Sequence, residues 1–152
     1  MPWNRLTLPY KSSAQSAQPS GGFLYLVTDL ETQQLRAALA EGKVPADLQA
    51  KLLRLNQSDL VHRFVEQNSR LIIALLMAAY DGSFREVPPV DLERLLRVLA
   101  YVRKENDATP DSQAGGYVDD QQEVRAVTSE LANLLQSFKA WRLQHQVPGM
   151  WL

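Results

Sequence analysis

Four aspartates fall within residues 107–120, in a stretch that also carries turn-forming Pro and Gly residues. They are Asp107, Asp111, Asp119 and Asp120. Carboxylate and carbonyl oxygens are the ligands that Mg²⁺ and Ca²⁺ prefer, so one hypothesis is a divalent-cation site in this acidic loop. The spacing differs from that of an EF-hand loop, which needs alternating ligands and a terminal glutamate. A cation is therefore the alternative hypothesis, and no other cofactor is expected.

A structural interpretation explains the same aspartates by helix capping, and we favour it. Pro110 pushes the residue before it toward extended geometry, which ends the preceding helix sharply. The glycine pair ending at Gly116 permits a tight return of the backbone. Asp119 or Asp120 then caps the following helix, with a Gln or Glu three residues on completing a capping box. Tyr117 is expected to pack between the helices on either side.

The remaining polar residues give little indication of catalysis. His62 and Glu66 are one helical turn apart and offer two metal ligands, but Glu66 is better explained as an ion-pair partner of Arg70. His145 lies near the C-terminus of the last predicted helix, where the helix dipole favours a positive charge, so its position has a structural explanation. The sequence has no nucleophile elbow, phosphate-binding loop or dinucleotide fingerprint. We therefore favour a protein that is not an enzyme, and a metal-assisted enzyme stays open.

The composition narrows the class of protein. Sixteen basic residues against 17 acidic ones give no electrostatic bias toward nucleic acid. There is no cysteine, which excludes disulfides, thiolate metal ligands and a cysteine nucleophile. The apolar run at residues 71–80 is about half of the roughly 20 residues that a membrane-spanning helix needs, and the N-terminus lacks a secretory signal pattern. We expect a cytoplasmic protein without a transmembrane segment.

Helical signals recur along residues 23–146. Thr28 and Glu31 form a capping-box pattern that opens a helix running to about residue 41, and Gly42 supplies its stop. A second helix ends near residue 56, and Ser58 is expected to cap a third, which is apolar on all sides at residues 71–79. The fourth helix leaves its charged residues solvated. The sequence predicts an all-α, single-domain bundle of about five helices with an extended N-terminal arm.

The fifth predicted helix carries apolar residues that alternate at spacings of three and four. Such spacing is typical of a helix packed along a partner helix. The pattern is shorter than most coiled-coil dimers need, so we favour packing within one chain. These residues are Val124, Val127, Leu131, Leu134, Phe138 and Trp141.

Both ends of the sequence carry apolar residues outside the predicted helices. Residues 1–22, the N-terminal arm, combine an apolar tip with a polar low-complexity stretch that is typical of a flexible segment. Residues 147–152 form an apolar tail. Either end can contact its own domain, a protein partner or a second copy of the chain. The candidate partner-binding residues are Trp3, Leu6, Leu8, Tyr10, Met150 and Trp151.

Two motifs follow one another around the acidic loop: Asp107-Ala-Thr-Pro-Asp111 and Gly116-Tyr-Val-Asp-Asp120. Two hydrophobic helices precede them and a third helix follows. With this order and spacing, residues 71–139 resemble the YkvA-like family of bacterial domains of unknown function. The resemblance implies a helical fold and makes Asp107, Pro110, Asp111, Gly116, Tyr117, Asp119 and Asp120 the family motif. It implies no activity, and it suggests peripheral contact with the inner membrane.

The sequence as a whole predicts a non-catalytic, cytoplasmic helical interaction or scaffold protein. The apolar ends favour a protein partner or a homo-oligomer, and the absence of a catalytic pattern supports a scaffold. Two alternatives stay open. One is a metal-binding protein or metal-assisted enzyme that uses the acidic loop, and the other is a peripheral membrane protein.

Overall fold

Six α-helices account for most of residues 27–85, 87–104 and 116–145, which are the residues that the computed structural model describes. These ranges contain no strand, so the predicted all-α fold is confirmed, and the helices form one compact bundle. The N-terminal arm, the apolar tail and most of the acidic loop lie outside the described residues. The helices are α1 (Asp29–Ala40), α2 (Ala46–Arg54), α3 (Leu60–Tyr80), α4 (Pro89–Arg103), α5 (Gly116–Glu130) and α6 (Ala132–His145).

Side-chain caps fix where α1 and α3 begin. The predicted capping box of α1 is confirmed: the Thr28 amide donates to Glu31 Oε1 at 2.8 Å, and the Glu31 amide donates to Thr28 Oγ1 at 3.1 Å. The prediction that Ser58 caps α3 is wrong. Asp59 is the cap, and its carboxylate accepts from two amides, those of Val61 and His62. A carboxylate satisfies two of the unpaired amides of a first turn at once.

The apolar half of α3 lies at the centre of the bundle. Ile72, Leu75 and Leu76 are fully buried, as expected for a helix that is hydrophobic on all sides. α3 packs against α1, α4 and α5, which together cover it. Within the described ranges, none of the helices combines the length and the apolar character that a membrane crossing requires.

The predicted fifth helix is divided at Leu131 into α5 and α6. The helical hydrogen bonding continues through the division, because the Leu131 amide donates to Val127 at 2.9 Å and the Leu135 amide donates to Leu131 at 3.0 Å. Val124, Val127, Leu131 and Phe138 are buried as predicted. After the division, Leu135 is buried, whereas the predicted Leu134 is only partly buried.

Aromatic contacts attach α6 to the loop between α3 and α4. Phe84, from that loop, lies with its ring centroid 5.2 Å from that of Phe138 and 5.4 Å from that of Trp141. The rings of Phe138 and Trp141 stack at 5.8 Å. Aromatic pairs at these separations are favourable beyond the apolar area that they bury. They explain why Phe138 is fully buried although much of α6 faces solvent.

The charged residues at α4 stay partly exposed, as predicted, and they are also paired with charged residues of neighbouring helices. Acidic residues of α1, α2 and α5 face the basic residues of α4, and Arg36 of α1 faces the acidic Glu93. The pairs are Arg36–Glu93 at 2.6 Å, Lys104–Glu31 at 2.7 Å, Arg103–Asp47 at 3.0 Å, Arg97–Asp29 at 3.2 Å and Arg94–Glu130. These ion pairs set which face of α4 each neighbouring helix meets.

Two of the paired carboxyl groups have a lowered pKa. Burial alone raises the pKa of Glu31, but hydrogen bonds and charge from Lys104, with hydrogen bonds from Thr28, outweigh it and bring that pKa below its ordinary 4.5. Burial likewise raises the pKa of Asp47, and the contact with Arg103 outweighs it, so the pKa lies below the ordinary 3.8. Both carboxylates therefore favour the folded state while they are ionised.

This predicts a specific dependence of stability on pH. A group whose pKa is lower in the folded state contributes its stability above the unfolded pKa, and loses it as the pH falls through the folded value. We expect the free energy of unfolding to fall from about pH 5 to about pH 3. Glu31→Gln combined with Asp47→Asn should make that fall shallower. Urea denaturation followed by circular dichroism at several pH values measures it.

Glu41→Gln is the control for this experiment, because Glu41 makes only an exposed ion pair with Lys43 at 3.9 Å. Such a pair contributes little to stability. The control variant should therefore keep the pH dependence of the parent protein. If the double variant also keeps it unchanged, the assigned role of Glu31 and Asp47 is wrong.

Candidate functional site

The side chain of Lys51 is buried in the bundle, with 0% of it exposed. Its ammonium group donates hydrogen bonds to the main-chain carbonyls of Val102 and Lys104, the latter at 3.0 Å. It also forms an ion pair with Asp120, whose Oδ2 lies 3.1 Å from Nζ and whose side chain is equally buried. An ammonium has three N–H donors, and three oxygens of the described residues lie around this one. We call Lys51, its two carbonyl partners and Asp120 the lysine clamp.

The parts of the lysine clamp come from three helices. α2 presents Lys51 on the same side as its buried residues Leu48 and Leu52. α4 ends at Arg103, so the carbonyl of Val102 belongs to its last turn and that of Lys104 to its C-cap. Carbonyls at a helix C-terminus lack partners within the helix and lie at its negative end, where a cation is favoured. The Lys51 ammonium donates to these carbonyls and places its positive charge at the negative end of α4.

Aromatic residues border the lysine clamp. The ring centroid of Tyr117, in the first turn of α5, lies 5.5 Å from Lys51 Nζ, within the range of a cation–π interaction. The ring of His62 meets Tyr117 edge-on at 4.6 Å. His62 Nδ1 in turn accepts from the Asn56 amide at 2.9 Å. Tyr117 was expected between the helices flanking the acidic loop, and these contacts bring it against residues of α2 and α3.

The two motif aspartates within the described residues do not cap α5, so that prediction is wrong. α5 begins at Gly116, which places Asp119 and Asp120 inside the helix. Asp119 lies in the first turn, where a carboxylate is favoured by the helix dipole. Asp120 lies in the core because its partner is there. An ion pair with a buried lysine needs this inward helical position, which a capping residue does not have.

The other predicted site residues have different outcomes. Asp107, Pro110 and Asp111 lie outside the described residues, as do the candidate partner-binding residues at both ends of the chain. Among the residues that are described, no group of three His, Asp or Glu side chains is arranged to hold a metal ion. The predicted pair of Glu66 with Arg70 is confirmed, with a hydrogen bond from Arg70 Nε to Glu66 Oε2.

Lys51 is the residue that the sequence interpretation missed. A signal was present, because Lys51 lies three residues after Leu48 and four before Leu55, on the apolar stripe of α2. A lysine on such a stripe is usually explained by its long apolar stem with an exposed charged end. Only the fold reveals the oxygens that allow the whole side chain to be buried.

The lysine clamp places a cation, the Lys51 ammonium, beside Asp120 of α5. Carboxylate and carbonyl oxygens converge on a positive charge, and that charge belongs to Lys51. The arrangement suits a structural cation, because the ammonium already donates to fixed acceptors on α4 and faces Asp120 of α5. Its effect is to hold α2, the end of α4 and the start of α5 together.

A second feature is a groove between α2 and α3, of about 520 Å³. It is lined by Val44, Gln49, Leu53, Arg70 and Ile73. α3 packs mainly on α1, α4 and α5, whereas α2 packs on α4, so a gap opens between α2 and α3. Ile73 is buried at the groove, whereas Leu53 is 67% exposed. We call this feature the α2/α3 groove.

Comparisons with known proteins identify no relative of this chain. No protein-family model matches the chain, and no curated protein or solved structure matches it. The class that can be stated is therefore a helical bundle with an internal lysine clamp and an open apolar groove.

A double-mutant cycle measures the lysine clamp. Lys51→Met leaves Asp120 buried without its cation, and such a loss typically costs about 3 to 5 kcal/mol. Adding Asp120→Leu removes the stranded charge, so the double variant should be more stable than Lys51→Met alone. Urea denaturation of the parent, both single variants and the double variant gives the coupling energy.

The exposed pair Arg103–Asp47 is a matched control, because it also joins α2 to α4. Its coupling energy should be about 0.2 to 1 kcal/mol, as is usual for exposed ion pairs. The lysine clamp should exceed it clearly. Equal coupling energies for the two pairs would contradict a buried clamp.

Proposed function

We propose that the protein is a non-catalytic helical interaction protein, cytoplasmic and a member of the YkvA-like family. The observation that supports this most directly is the α2/α3 groove. Among the described residues, it combines the partly buried Val44, the buried Ile73 and the exposed Leu53 with two polar residues, Gln49 and Arg70. Apolar grooves between helices are a common way to receive the apolar side chains of a peptide segment.

The charges around the groove favour an apolar occupant. Arg70 is already held by Glu66, and both side chains are mostly buried. The proposed partner is therefore an apolar protein segment, whose side chains would cover Leu53. Burial of an exposed leucine is favourable because it removes apolar surface from water.

The contacts that the motif residues make support the family assignment. Asp120 and Tyr117, both in the Gly-Tyr-Val-Asp-Asp motif, contact Lys51. Because these motif residues contact the lysine that joins α2, α4 and α5, replacing them or changing their spacing would disturb the packing of those helices. The lack of cysteine fits a reducing compartment such as the cytoplasm.

Leu53→Glu tests the proposed interaction. A carboxylate in the α2/α3 groove should weaken binding of an apolar partner, because the complex would bury that charge without a partner. We expect tagged Leu53→Glu to retain less than a tenth of the proteins that the parent chain captures from lysate, as measured by quantitative mass spectrometry.

Leu143→Glu is the matched control, because Leu143 of α6 is 72% exposed and is not among the residues that line the groove. It should capture the same proteins as the parent. If both variants capture the parent set, the groove is not the interaction surface and the proposal is wrong.

A second candidate function is contact with an anionic membrane surface through α6. The helix contains Lys139, Arg142 and His145 and no acidic residue. Leu143, one turn after Lys139, is exposed. Basic residues beside exposed apolar ones are typical of helices that lie on anionic lipid.

Vesicle flotation tests this candidate. The parent chain should float with vesicles rich in phosphatidylglycerol and should sediment free of neutral phosphatidylcholine vesicles. Lys139→Glu with Leu143→Glu should abolish flotation, while Leu53→Glu should not affect it. If the parent chain floats with neither kind of vesicle, membrane contact through α6 is ruled out.

A further inference from the structure

We propose that the α2/α3 groove is the docking site of the chain's own N-terminal segment, residues 3–10, bound within the same molecule. This inference rests on the proposed function, because the docked segment would compete with an outside partner for the groove. The protein would then be an interaction protein that regulates access to its own binding surface.

The chemistry of the segment complements that of the groove. Residues 3–10 contain no acidic residue, so no carboxylate would have to be buried against apolar side chains. The groove supplies apolar surface at the exposed Leu53 and the partly buried Val44, next to the buried Ile73. The apolar residues available to fill it are Trp3, Leu6, Leu8 and Tyr10.

The length of chain between the segment and the bundle suits docking within one molecule. Val27 is buried and its carbonyl accepts from Arg97 at 3.1 Å, so the chain is anchored there. Val44, which lines the groove, lies beyond the other end of α1. The 12 residues of α1 span about 18 Å at 1.5 Å per residue.

Residues 11–26 connect the segment to this anchor. Sixteen residues span at most about 53 to 58 Å when fully extended. That reach exceeds the length of α1, the helix that separates Val27 from Val44, so the connection is long enough for docking within one molecule. Binding within one molecule is favoured because a tether raises the effective concentration of the segment at the groove.

Disulfide trapping tests the proposal, and the absence of native cysteine makes the result unambiguous. The full chain with Leu6→Cys and Leu53→Cys is oxidised at low micromolar concentration. We expect an intramolecular disulfide, seen as a monomer of faster mobility on a non-reducing gel and as a loss of two hydrogen atoms by intact mass.

The matched control carries Leu6→Cys with Leu143→Cys, which places the second thiol on the exposed surface of α6. We expect the groove pair to close at least tenfold faster than this control. Equal rates would overturn the proposal. A crosslinked dimer whose yield rises with concentration would also overturn it, since the segment would then occupy the groove of a second copy.

A second measurement separates this inference from the proposed function. Full-length chain with Trp3→Ser, Leu6→Ser and Leu8→Ser should capture several-fold more of the proteins that Leu53→Glu fails to capture, because the competing segment is lost. If Leu53→Glu still abolishes capture while trapping is slow and the serine variant behaves as the parent, the inference is wrong and the proposed function stands. If trapping is fast but neither variant alters capture, the proposed function and the competition both fail.

Discussion

The burial of the Lys51 ammonium is the constraint on which the arrangement of helices depends. A charge in the core is unfavourable unless oxygens replace its water, and here they come from the end of α4 and from Asp120 of α5. A small displacement of any of the three helices would leave the charge uncompensated. The lysine clamp therefore fixes the positions of α2, α4 and α5 more strictly than apolar packing alone, which tolerates adjustment.

The remaining charges support the same arrangement around α4. Five ion pairs link it to α1, α2 and α5 among the described residues. All are at least partly exposed, and pairs of that kind usually contribute about 0 to 1 kcal/mol each. Their role is to select which helix faces meet, while the buried apolar residues supply most of the stability.

Local signals predicted the helices well because capping and periodicity act over a few residues. The capping box of Thr28 and Glu31 and the apolar centre of α3 needed no knowledge of the rest of the fold. Lys51 and Asp120 could not be paired in advance, since 68 residues separate them and each alone fits a solvated surface. The division at Leu131 was also missed, because helical hydrogen bonding and apolar spacing both continue through it.

The lysine clamp also explains why the α2/α3 groove exists. α2 has only nine residues, and the side that carries Lys51 is drawn toward α4 and α5. Leu53 is two positions further along, about 200° around the helix, so it faces away from the clamp. Drawing one side of α2 into the core leaves its other side uncovered next to α3. The lysine clamp and the exposed Leu53 thus lie on opposite sides of one short helix, so a change that moves α2 at the clamp would also move the groove.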